Sequence, residues 1–170
     1  MKMRAIVLMV AICAASPAIY AQEPVVGVKD PESLFKDPDP KLNRNKQAAL
    51  HIQRELLQCG QWDRAGEWLT KAYHQHNPNA ASGLDGVITF FTKVLKVQRV
   101  DKCDKLTTPV VAVMADDDYV TILTPRKYPD PRTPGKEYYT SWFDTWRFVD
   151  GKADEHWDPA TITAPPAGGK

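Results

Sequence analysis

An α+β fold in a single domain is what this sequence predicts, with helices first and antiparallel strands after them. Three observations carry that expectation. Apolar residues recur at three- and four-residue steps from Leu42 to Leu57 and again from Val87 to Leu95, the spacing of a helix face. From Tyr138 onward the pattern becomes alternation, with Trp142, Asp144, Trp146 and Phe148 on one side of an extended segment, which is strand periodicity. A chain of 170 residues suffices for one real core and not for two ordinary domains. Helices grouped ahead of strands argue α+β and not an alternating α/β order.

Met1 to Ala21 reads as a secretory signal: Lys2 and Arg4 give the basic start, Ala5 to Ala15 the apolar run, and Ser16 to Ala21 the small-residue exit, with cleavage expected after Ala21. The apolar run is shorter than the roughly 20 residues that a spanning helix needs, so no membrane association is expected after cleavage. A lipoprotein box would need a small residue before Cys13, where Ile12 stands. The mature protein is therefore expected to be periplasmic or secreted. With 22 basic and 21 acidic residues, nothing in the charge points to nucleic acid or an acidic partner. The partner to seek is a small organic ligand in a pocket. Cys59 and Cys103 remain as an even pair in an oxidising compartment, either bonded to each other or buried as separate thiols.

Gln22 to Asp39, with Pro24, Pro31 and Pro38 and little periodicity, reads as a flexible leader outside the core. Asp39-Pro40 looks like an N-cap with proline at the first helical position, and Cys59-Gly60 suits the helix end. Asp63 is expected to cap a shorter second helix through Trp68, Leu69, Ala72 and Tyr73. Ser82 and Asp85 approximate a capping box for the third, whose face is Val87, Ile88, Phe91, Val94 and Leu95. Strands are expected over Val97–Val100, Pro109–Met114, Tyr119–Thr124, Tyr138–Val149 and Lys152–Trp157, with Asp116-Asp117-Asp118 and Asp150-Gly151 as turns. Four prolines between Thr124 and Lys136 predict a long hairpin loop there. Arg126, Lys127, Arg132 and Lys136 make it basic, as solvated surface or as a lid for an anionic ligand. The tail, 159–170, is rich in Pro, Ala and Gly and is expected to be loose.

The chemistry centres on Ser141 to Asp158. Asp144 sits alone in an aromatic row, where lost hydration would raise its pKa toward the value of a general acid or base. On the following strand His156 and Asp158 share a face, while Glu155 and Trp157 look the other way. Parity does not say which set faces inward. These residues, together with Asp150-Gly151-Lys152 and Tyr73-His74-Gln75-His76-Asn77-Pro78 upstream, resemble the SnoaL-like, polyketide cyclase-like branch of the NTF2-like superfamily over roughly Lys41 to Asp158.

The resemblance implies a cone: three N-terminal helices packed on a strongly curved, mostly antiparallel sheet around a cavity. It implies catalytic roles for Asp144, His76 and His156, with His156 inward. It also implies a ligand lining of Tyr73, Asn77, Phe90, Trp142, Trp146 and Asp158. The implied reaction is cofactor-independent proton abstraction beside a carbonyl, of cyclase or isomerase type. A non-catalytic binder, or a homodimer joined through the sheet, are the alternatives the superfamily offers. His74, His76, His156, Asp144 and Asp158 are ligand-type residues, but no Cys pair completes a structural metal site, and no metal is expected. No G-x-S-x-G, phosphate loop or G-x-G-x-x-G motif occurs.

Overall fold

The computed structural model describes residues 23–162; the expected signal, Met1 to Ala21, lies outside them. Asp39 starts the first helix as a cap, its Oδ1 accepting the N–H of Lys41 at 2.8 Å and of Leu42 at 2.9 Å, with Pro40 next. Those are donors that a helix start leaves open. This helix, α1 (Pro40–His51), continues as a wider π-helical stretch, Ile52–Gln58. It ends where Gly60 takes φ +63° against the Gln98 carbonyl, which a side chain would strike. Ala48, Ala49, Ile52 and Leu56 form its buried face.

The second helix is shorter than its periodicity predicts. After a 3-10 turn, α2 (Ala65–Trp68) stops and Leu69–Gln75 forms the strand β1. Leu69 and Tyr73 are both buried, four residues apart. That spacing suits a helix, and it equally places both residues on one face of a strand, so the two buried positions alone do not separate the two structures. Asp63 caps nothing. The third helix, α3 (Leu84–Thr89), extended by Phe90–Val94, follows Gly83 without a side-chain cap. Ser82 instead accepts the Gln75 N–H through its Oγ at 3.0 Å.

The remaining strands are β2 (Ala112–Asp116), β3 (Tyr119–Pro129), β4 (Glu137–Val149) and β5 (Lys152–Trp157). They form one sheet in the order β1-β5-β4-β3-β2, antiparallel except for the parallel β1–β5 pair. Asp150 and Gly151 turn the last hairpin with φ of +50° and +79°, the left-handed pair that a two-residue turn requires. Three helices on a mostly antiparallel sheet make the α+β cone of the NTF2-like fold.

Three further expectations are corrected. Val97–Val100 is an irregular connection held by its Val100 N–H on the Cys59 carbonyl at 2.8 Å. The long loop predicted from Thr124 is ladder as far as Pro129, and only Asp130–Lys136 turns. Beyond Leu123, β3 has lost β2 on one side, and there Pro125 and Pro129 share a parity, so both nitrogens can face the open edge where no donor is needed. The leader also joins the core: Phe35 is fully buried, Val28 donates to the Val110 carbonyl at 2.8 Å, and Glu32 accepts the Leu106 N–H at 2.7 Å. A single aromatic without periodicity left no pattern to announce this.

Cys59 and Cys103 are disulfide-bonded across a separation of 44 residues. On the chain-entropy account, closing a loop of that size is worth about 4 kcal/mol. The bond ties the end of the long first helix to the irregular chain ahead of β2.

Candidate active site

The curvature of the sheet leaves a half-open cavity of about 1170 Å³ between its concave face and the two long helices. Leu57, Phe90, Phe91 and Val94 supply the helical wall, and Tyr73, Trp142, Trp146 and His156 the sheet wall. Pro159, Ala160 and Thr161 stand at its edge, so the first residues of the expected tail belong to the site. Alternation explains the sheet side: Thr140, Trp142, Asp144 and Trp146 occupy successive inward positions of β4.

Asp144 is only 6% exposed. Its Oδ1 accepts the Trp142 Nε1–H at 3.1 Å and meets His156 Nε2 at 3.2 Å, while Oδ2 has no hydrogen-bond partner among the described residues. The other ring nitrogen, His156 Nδ1, lies 2.9 Å from Gln75 Oε1. That amide oxygen is identified by a backbone donor, the Asn77 N–H at 3.0 Å. Nδ1 must therefore donate, and the Nε2–Oδ1 contact must hold a further proton. The dyad is either imidazolium–carboxylate or imidazole–carboxylic acid, one shared proton apart.

Tyr73 lies beside it, 3% exposed. Burial pushes its phenol well above the usual range, the charges of Asp144 and Asp158 add to this, and the bond from Trp146 offsets only part. Trp146 Nε1 donates to the phenol oxygen at 3.2 Å, which leaves the neutral O–H free to donate to a ligand. Trp146 also stacks on His156, with centroids 4.9 Å apart. Asn77 Nδ2 donates to Asp158 Oδ2 at 2.8 Å. Asp144, His156 and Asp158 offer ligand-type atoms all within 4.8 Å of one another, a donor set able to hold a divalent cation. Gln53 and Trp62 line the cavity, and their Nε2 and Nε1 atoms have no hydrogen-bond partner among the described residues; a buried donor of that kind calls for water or ligand.

Of the residues expected here, Asp144, His156, Tyr73, Asn77, Phe90, Trp142, Trp146 and Asp158 all line the cavity. His76 does not. With Leu69–Gln75 extended, Tyr73, Gln75 and Asn77 face inward, and His74 and His76 are exposed. His76 stacks on Trp157 at 5.1 Å and pairs with Glu155 at 2.9 Å on the outer face. Gln75, which fixes the His156 tautomer, was not anticipated, because its role appears only once β1 is a strand parallel to β5.

The family profile of the SnoaL-like domain matches residues 53–156. The chain belongs to the SnoaL-like family. Among solved structures, this SnoaL-like chain is similar to a polyketide cyclase-like protein of Acidithiobacillus ferrooxidans, with 17% identity over 68% of this chain and 86% of that one and a TM-score of 0.50. It is also similar to a SnoaL-like polyketide cyclase-type protein of Jannaschia sp. CCS1, with 18% identity, coverage of 73% and 91%, and a TM-score of 0.50. At that identity the likeness speaks for the shared fold. No protein of curated function matches the sequence significantly.

Proposed function

We propose that this is an exported SnoaL-like protein performing cofactor-independent acid–base chemistry on a small, largely apolar carbonyl compound. The observation that carries the reading is the proton-sharing Asp144–His156 dyad, buried in an apolar cavity with one carboxylate oxygen free. In this scheme Asp144 Oδ2 takes a proton from the carbon beside the carbonyl. Trp142 and His156 hold Oδ1 meanwhile, and the Tyr73 O–H donates to the carbonyl oxygen as enolate charge builds there. Asp144 then gives the proton to another carbon of the enolate system, giving isomerisation, or the enolate carbon attacks a second carbonyl and Asp144 passes the proton to the alkoxide so formed, giving ring closure of aldol type. The oxygen-binding role expected of His76 passes to Tyr73.

Solvent exchange of the α-protons of simple ketones, followed by NMR in deuterium oxide, tests this directly. Wild type accelerates exchange and Asp144→Asn does not; equal rates would leave a ligand-binding protein using the same cavity. Export is supported by the Cys59–Cys103 bond, which suits an oxidising compartment, and a mature N-terminus found at Gln22 by sequencing the exported protein would establish it. A homodimer through the sheet is supported by Met114 and Phe143, 49% and 45% exposed, on the outer face; a monomer by sedimentation at micromolar concentration would dismiss it.

A further inference from the structure

The four cations between Arg126 and Lys136 have different fates. Lys127 pairs with Glu137, Arg132 pairs with Asp130 at 3.0 Å, and Lys136 is exposed. Arg126 alone turns into the cavity. It is half-buried and makes no ion pair or side-chain hydrogen bond among the described residues. All 21 acidic side chains of the protein lie within those residues, so no Asp or Glu elsewhere in the chain completes it. Its guanidinium lies over the Trp142 ring, 5.4 Å from the centroid. That contact orients the planar fork and eases its partial desolvation. Thr140, its register partner on β4, also lines the cavity there, with Ser141 next to it.

We infer that Arg126 is an anion-binding position, and that the ligand is an elongated, largely apolar carboxylic acid with its carboxylate on Arg126 and its reactive carbonyl at the dyad. This rests on the acid–base reading of the same cavity and adds the ligand's second end. Thr140 stands four residues from Asp144 along β4, roughly 13 Å at the strand rise. An acid head held at Arg126 thus leaves an extended body to cross Trp142 and pack against Phe90 and Phe91 before reaching Asp144. The wall between the two ends is apolar, so the ends differ in charge preference. A guanidinium fork accepts a carboxylate through two parallel bonds, whereas the dyad is neutral overall and the Asp158 carboxylate beside it repels an anion. A ligand with one anionic end therefore has a single orientation.

Isothermal titration with decanoate, methyl decanoate and decylamine tests the head-group preference. Wild type binds decanoate about 10- to 100-fold more tightly than the ester, the range of a charge-assisted contact, and binds decylamine weakest. Added salt weakens decanoate and leaves the ester unchanged. Arg126→Gln abolishes the preference while retaining affinity for the ester. Arg126→Lys keeps part of it, having charge without the fork. Asp144→Asn keeps the preference in full even if its proton exchange is lost, so the two readings fail separately. Equal binding of acid and ester by wild type, binding of neither, or a preference that survives in Arg126→Gln overturns the inference.

Discussion

Consecutive residues of β5 carry two histidine–carboxylate pairs on opposite faces of the sheet, and the pairs differ in almost everything except distance. Inside, His156 meets Asp144 at 3.2 Å with both side chains 8% exposed; outside, Glu155 meets His76 at 2.9 Å with exposures of 23% and 49%. The outer carboxylate has a full cationic partner, since Arg147 Nε donates to it at 3.0 Å. The inner one has only the neutral Trp142 indole besides the imidazole. A surface pair in that setting is worth little and its charges are screened. A buried pair without a guanidinium must settle its charge by where it keeps a proton. Contact distance alone therefore marks both pairs as sites, and the surroundings mark only one.

The sharpest way to break this contrast is to neutralise each carboxylate in turn. Asp144→Asn is expected to lower α-proton exchange by about 1000-fold, within the range of general acid–base catalysis, while Glu155→Gln leaves the rate within about twofold, since nothing on the outer face reaches the cavity. Equal losses would mean that the pairs act through shared stability, which thermal unfolding of both variants would reveal. Tyr73→Phe comes next, at about 100-fold, the scale of one lost oxyanion donor. It keeps the ring that packs in the core but leaves the buried Trp146 Nε1–H without its acceptor, so Tm should fall by a few degrees while the protein stays folded at the temperature of the rate measurement. Gln75→Leu is smaller, about tenfold. It removes the acceptor that fixes the His156 tautomer and leaves both members of the dyad in place, and its rate–pH profile should shift relative to wild type where a merely structural defect would scale the whole profile.

The inner face of β4 was legible from sequence, because it alternates without interruption from Thr140 to Phe148. The β5 side was not: regular pairing counted from the Asp150-Gly151 turn would set Glu155 opposite Trp146, and only the irregularity between Arg147 and Phe148 puts His156 there, the inward placement that the family resemblance implied. The outer assignment failed at one segment. Leu69 to Tyr73 has a helix-like spacing, so His76 fell in a presumed loop where parity does not apply. Only pairing with β5, some 80 residues away in sequence, makes that stretch a strand and turns His76 outward. Phe35 and Arg126 were misjudged for a related reason, since prolines on either side suggested loops and only long-range packing shows one in the core and the other on an edge strand.

The smallest effect expected is that of the outer pair on stability. The hydrogen bond from His76, and after it the one from Arg147, hold the Glu155 carboxyl below its ordinary value of 4.5, against a weak opposing effect of burial. A carboxylate whose folded value is depressed contributes stability that is present above 4.5 and disappears as pH falls through the lower folded value. With His76 half exposed, that contribution is discounted to about 0.5 kcal/mol or less. Urea unfolding of His76→Gln near neutrality should thus show a deficit of about that size, shrinking to nothing as the solution is acidified below the ordinary glutamate range. A deficit that persists in acid would belong to the stacking of His76 on Trp157 and not to the ion pair. Neither result should alter exchange at Asp144, because no contact from the outer pair crosses the sheet to the dyad except through the β5 backbone itself.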